Sequence, residues 1–166
     1  MRKRILYVMV ILLVVIIIGV VGKQYEDFFL AKKIHVNGLE LFMKESEVTE
    51  LFGKEDPEQS YCMGCGPDMN YQRLGVFARL SETKQYIKRI KITNPNYDVL
   101  GIKPNQKIST AQKLLEDMGF TLIEKDHIRQ EYQKKRLTFI LFIDKQGMIT
   151  SAQVEYQVKK DNNIIY

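Results

Sequence analysis

Residues 5 to 21 read ILYVMVILLVVIIIGVV, an apolar run that no charge interrupts. Beyond Lys23 the apolar residues space out, first at helical intervals and then at every second position. Val48, Leu51 and Phe52 stand at i, i+3 and i+4, the spacing of one helix face, and Gly53 offers a stop. Ala111, Leu114, Leu115 and Met118 make a second such face before Gly119. Ser46 and Ser109 precede these faces and can accept from the exposed amides of a first turn. VFARL and YIKRIKI alternate apolar with polar around SETKQ, which predicts two hairpin strands. LTFILFI and MITSAQVEYQV do the same around DKQG, and FTLIEKD adds a further strand candidate. Pro95 and Pro104 break regular structure between the two sets.

The two sets keep one spacing. Gly38 and Gly101, Ser46 and Ser109, and Leu51 and Leu114 are each 63 residues apart. Phe77 and Phe139, Ile87 and Ile149, and Ile92 and Val154 are 62 apart. A fixed period of this length marks a repeated unit. The expected fold is α+β: an N-terminal transmembrane helix followed by two tandem helix-plus-antiparallel-hairpin modules, with the helices on one face of the sheet. The expected organisation is a membrane anchor over 1–22, a linker helix over 23–33, a first module over 34–96 and a second over 97–160. Modules of this size are too small to hold a generous core alone, so they are expected to pack closely or share a sheet.

With Gly22 the opening run is 18 residues, roughly 27 Å as a helix and close to one hydrocarbon thickness. Arg2, Lys3 and Arg4 precede it; Lys23, Glu26 and Asp27 follow. The positive-inside rule then puts the N-terminus in the cytoplasm and the remainder outside, as a single-pass cell-membrane protein with an uncleaved signal anchor. A cleaved signal peptide is the competing reading. Val20 and Gly22 are small enough for a cleavage site, but no A-x-A pattern is present and the run is long for an h-region.

The formal charge of +5 comes mostly from that leading cluster, because without it 22 basic residues face 20 acidic ones. Nucleic-acid binding usually shows a basic excess, and it is not expected here. The sequence carries no nucleophile-elbow, zinc-protease, phosphate-loop or dinucleotide fingerprint. No cofactor and no metal are implied. His35 and His127 are far apart in sequence and lack ligand spacing, and NPNYD, with Asp98, lacks the calcium-loop pattern. RQEYQKKR, residues 129 to 136, reads as a solvated basic hairpin end.

GLELFMKESEVTELFGKEDP, from Gly38, resembles the opening of the BamE-like (SmpA/OmlA) domain. A tandem pair of such units is similar to the β-lactamase-inhibitor-protein fold. The resemblance covers roughly residues 34 to 158. It implies an extracytoplasmic, non-enzymatic protein that binds others through its sheet face or its loops. The lipid-modified cysteine of BamE-like proteins has no counterpart here, and no inhibitor residue can be carried over.

The only cysteines, Cys62 and Cys65, stand in SYCMGCGPDMNY. Their C-x-x-C spacing admits a redox pair, half a metal site, a local disulfide or two reduced thiols. Gly64, Gly66 and Pro67 make the stretch a loop, whereas thiol oxidoreductases open a helix there. Export to an oxidising compartment favours the disulfide. Tyr61, Met63, Asp68 and Tyr71 flank the pair as a candidate interaction loop.

The function expected is that of a membrane-anchored extracytoplasmic protein-binding module without catalytic activity. Its partner would be another envelope or secreted protein, with the membrane engaged through residues 5–21. The alternative is an envelope thiol-disulfide protein acting through Cys62 and Cys65.

Overall fold

The computed structural model describes residues 7, 9, 11–15, 19, 22, 25–56, 68–83 and 85–157. Among the described residues, three α-helices, one 3-10 turn (Gln72–Leu74) and nine strands follow Tyr25 in chain order. Helix α1 (Glu26–Ala31) leads to a small hairpin of β1 (His35–Val36) and β2 (Leu39–Glu40). Helix α2 (Glu45–Phe52) precedes β3 (Asp68–Tyr71), β4 (Val76–Leu80) and β5 (Ile87–Ile92). Helix α3 (Ile108–Asp117) precedes β6 (Thr121–Lys125), β7 (Arg129–Lys134), β8 (Leu137–Ile143) and β9 (Ile149–Tyr156). Strands β3 to β9 form one antiparallel sheet in the order β3-β4-β5-β9-β8-β7-β6.

Successive side chains of a strand point to opposite faces, so the register sorts the residues into rows. Met69, Ala78, Ile90, Val154, Phe139, Tyr132 and Leu122 make one row across all seven strands. Tyr71, Val76, Ile92, Ala152 and Leu141 make the next. Apart from Leu122, these residues are buried and belong to the core. Val48 of α2 and Ala111 and Leu115 of α3 close the same core, so the helices lie on this face.

Local chemistry fixes the helices. The Glu47 carboxylate accepts from the Lys44 backbone amide at 2.6 Å, so α2 begins at Glu45 and Ser46 falls inside its first turn. In α3 the flanking residue is Lys107, and Ser109 is likewise inside. Lys134, on the core face at the end of β7, donates to the Met118 carbonyl at 2.7 Å and to Glu26 at 2.6 Å. A cation at the C-terminal end of α3 also complements the helix dipole. Phe28 of α1 meets Tyr156 at a ring distance of 6.3 Å, and Phe42 meets Tyr156 at 5.0 Å.

Several expectations are corrected. The architecture is sheet-rich, with seven strands in one continuous antiparallel sheet and only short helices, instead of two helix-plus-hairpin α+β modules behind a transmembrane helix. The BamE-like tandem unit implied by the resemblance is therefore not what the chain forms. The physical reason is the pairing of β5 with β9 from Arg89↔Glu155 to Ile92↔Ala152, which fuses the two strand sets into one sheet. Among the described residues, no helix is long and apolar enough to cross a membrane. The expected single-pass anchor is thus not supported. The cell-membrane localisation built on it, with a cytoplasmic N-terminus and an extracytoplasmic domain, falls with it.

Two strands of the seven-stranded sheet escape the sequence pattern, as does the small β1–β2 hairpin. β7 runs through the stretch read as a basic hairpin end, and Gln130 and Tyr132 within it are buried. β3 occupies the end of the cysteine segment and closes one side of the sheet. Its outer side takes the Asp56 amide on the Asn70 carbonyl at 2.8 Å. β6 closes the other side, with a register shift between Leu122 and Glu124.

Candidate functional site

The face turned away from the helices carries a different chemistry. Asp68, Arg79, Arg89, Glu155, Thr138, Gln133 and Thr121 form one row across the seven strands. Arg79 and Arg89 stand directly opposite each other, which would repel on its own. Each guanidinium is neutralised on its outer side. Arg79 reaches both Asp68 oxygens, at 2.5 and 2.7 Å, and Arg89 reaches Glu155 Oε2 at 2.5 and 2.8 Å. The hydrogen bonds it donates to Asp68 hold the Arg79 guanidinium above its ordinary pKa, with burial opposing. Side-chain exposure of these four groups is between 14% and 25%, so the pairs are screened less than surface pairs are.

The second row is Asn70, Phe77, Lys91, Gln153, Ile140, Glu131 and Glu124. Arg129 answers its two carboxylates, pairing with Glu124 at 2.7 Å and with Glu131. Lys91 differs from the other cations. Among the described residues no carboxylate pairs with it, and its ammonium lies 5.9 Å from the Phe77 ring centre and 5.2 Å from that of Phe142. Ring faces attract a cation and restrict it without neutralising its charge. Lys91 therefore stands near the middle of the sheet as a positioned, uncompensated ammonium, bordered by Gln153 and Ile140.

The residues expected to form the interaction loop separate. Asp68 is engaged by Arg79 at the margin of this face. Tyr71 points the other way and is buried, its ring 5.0 Å from Phe52 and its hydroxyl donating to the Gly53 carbonyl at 3.4 Å. Tyr61, Met63, Cys62 and Cys65 lie outside the described residues, and so does any disulfide between the cysteines. Among the described residues, no group of three or more His, Cys, Asp or Glu side chains is placed to hold a metal ion. The sequence did carry a signal for the polar face. Alternation in VFARL and YIKRIKI assigns Phe77, Arg79, Arg89 and Lys91 to the side opposite the apolar residues. Their rows depend on strand order, which alternation does not encode.

No protein-family model and no curated protein match the chain. Two solved structures are similar. One is an extracellular protein containing an SCP domain from Bacillus anthracis, with a TM-score of 0.53 and 8% identity over 70% of this chain. This chain spans 44% of that protein, less than half its length. The other is a DUF4309 family protein from Bacillus subtilis, with a TM-score of 0.41 and 11% identity over 69% of this chain and 78% of that one. At such identity the first likeness is one of fold alone. The expected BamE-like and β-lactamase-inhibitor-like resemblance is withdrawn on the single continuous sheet described above.

Proposed function

We propose that the chain is a non-catalytic protein-binding module whose recognition surface is the polar face of the seven-stranded sheet, and that its partner places a carboxylate on Lys91. The observation that carries this reading is the contrast between Lys91 and its neighbours. Arg79, Arg89 and Arg129 each have a carboxylate on this face, whereas Lys91 has only the rings of Phe77 and Phe142. A preset cation between aromatic rings is suited to anchor an interface. It has lost part of its rotamer freedom before binding, and it gains most when an incoming carboxylate is desolvated beside it. The balanced charges around it favour a partner of mixed charge over nucleic acid.

The test places a photo-crosslinking residue at Phe77 and, as a control, at Glu50 on α2. The proposal expects a crosslinked protein partner from Phe77 alone. Lys91→Glu should abolish the crosslink, and a charge reversal on the partner should restore it. Equal crosslinking from both positions, or indifference to Lys91→Glu, would overturn the reading. A variant with both cysteines changed to Ser should still bind. Loss of binding there would favour the thiol alternative, which otherwise rests on Cys62 and Cys65 alone.

A further inference from the structure

A cleft away from the polar face involves none of the residues of the seven-stranded sheet. The β1–β2 hairpin turns through Asn37 and Gly38, with φ of 49° and 88°. Leu100 and Gly101 make a matching turn, with φ of 55° and 80°, closed by reciprocal bonds of 2.9 and 3.0 Å between Val99 and Ile102. The Asn37 side-chain amide donates to the Tyr97 hydroxyl at 3.4 Å and ties the two turns together. Between them lies a cleft of about 270 Å³, bordered further by Lys33, His35, Asn96 and Asp98. A bulky residue in the left-handed region is uncommon, and Leu100 keeps that conformation at the border of the cleft.

The unused hydrogen-bonding groups define the ligand. The His35 Nδ1–H donates to the Lys33 carbonyl at 3.0 Å, so its Nε2 is left as an acceptor. Asp98 Oδ1 accepts from the Gly101 amide at 2.7 Å, which leaves Oδ2 as an acceptor. The Lys33 ammonium supplies donors only. The Asn96 carboxamide supplies both kinds, and so does the Tyr97 hydroxyl. A phosphate needs donors throughout and would be repelled by Asp98. A metal ion needs acceptors throughout and would be repelled by Lys33. A hydroxyl group gives and takes one hydrogen bond at the same atom and suits a lining that does the same. The volume lies just below the roughly 300 Å³ at which pockets for larger ligands begin and suits a small, single-ring ligand. Tyr97 and Leu100 offer apolar surface to the C–H face of such a ring.

We propose that this cleft binds a neutral, hydroxyl-rich ligand of monosaccharide size. The inference is independent of the protein-binding face. Its test titrates glucose, galactose and N-acetylglucosamine into the isotope-labelled full chain and follows backbone amide resonances. At least one sugar should give saturating shifts confined to Asn37, Gly38, Asp98 and Gly101. Tyr97→Phe and Lys33→Met should each weaken that binding about tenfold, with the sugar-free spectrum of Lys33→Met otherwise unchanged. An absence of saturating shifts with all three sugars would overturn the proposal. So would tighter binding of inorganic phosphate or calcium at the same amides.

Discussion

Asp27 shows how much a single side chain can be asked to do. It is fully buried on α1, and one of its oxygens accepts from the Arg136 side chain at 2.9 Å. Among the described residues its other oxygen, Oδ1, has no hydrogen-bond partner, and neither does the buried hydroxyl of Tyr156. The Arg136 guanidinium lies 5.0 Å from the Tyr156 ring, and burial pushes that phenol up to about 12. Burial also pushes the Asp27 carboxyl up, but Arg136 outweighs it and the net pKa is below the ordinary carboxylate value. A depressed carboxylate stabilises the fold above its unfolded pKa, and that stability is lost as pH falls through the folded value. Chemical denaturation between about pH 5 and pH 2 should show the loss, and Asp27→Asn should flatten it. Arg136→Met at neutral pH should cost about 3 kcal/mol by leaving a buried charge unpaired. An unchanged acid limb in Asp27→Asn would refute this account. In the sequence Glu26 and Asp27 read only as acidic residues after an apolar run. Their partners are more than 100 positions away, so nothing local announces them.

Elements were legible where burial is one-sided. β4, β5, β8 and β9 alternate or run apolar, and they form where the pattern puts them. β7 did not announce itself, because RQEYQK owes its burial to neighbours on both sides and not to its own composition. Its two inward residues satisfy each other, the Tyr132 hydroxyl donating to Gln130 Oε1 at 2.6 Å. β3 was hidden by the glycines and proline that precede it. The link between β3 and β4 depends on Gly75, at φ 65°, where a Cβ would meet Asn94 Cβ and N and Thr93 Oγ1 at 2.9 Å. Gly75→Ala combines a left-handed backbone with backbone contact that cannot give way. It should lower stability by about 2 kcal/mol or more, and by more than Gly53→Ala, where the backbone at φ 79° is strained for Ala but the Cβ would meet nothing within 4 Å. Equal losses in the two variants would contradict this reading. Of the candidate site, the polar side of β4 and β5 was legible. The isolation of Lys91 was not, because it depends on which strands lie alongside.

At the scale of the whole molecule, the two strand sets keep a common offset. α2 and α3 begin 63 residues apart, at Glu45 and Ile108, and β5 and β9 begin 62 apart, at Ile87 and Ile149. They nevertheless share one core, since the row from Met69 to Tyr132 crosses from one set to the other without a break. The sheet should therefore open as a unit. Native-state hydrogen exchange should place the amides of Ala78, Ile90, Val154 and Phe139 in one slowest class with a common opening free energy. Phe139→Ala should lower all four together by about 3 kcal/mol. Separate plateaus for β3–β5 and β6–β9 would show two independent units.

The two sides of the sheet are not alike. At β3 the chain folds back and Asp56 occupies the outer hydrogen-bonding position of Asn70. At β6 the exposed Leu122 and Ile123 sit on a strand that the register shift has bent. A ribbon that can extend from one side only cannot polymerise. A second copy joining at β6 would do so across a two-fold axis and leave two occupied β3 ends outward, so growth stops at a pair. An endless cross-β filament needs a receptive strand at both sides. The backbone hydrogen bond from Asp56 therefore blocks strand addition at Asn70, a role independent of anything the molecule binds.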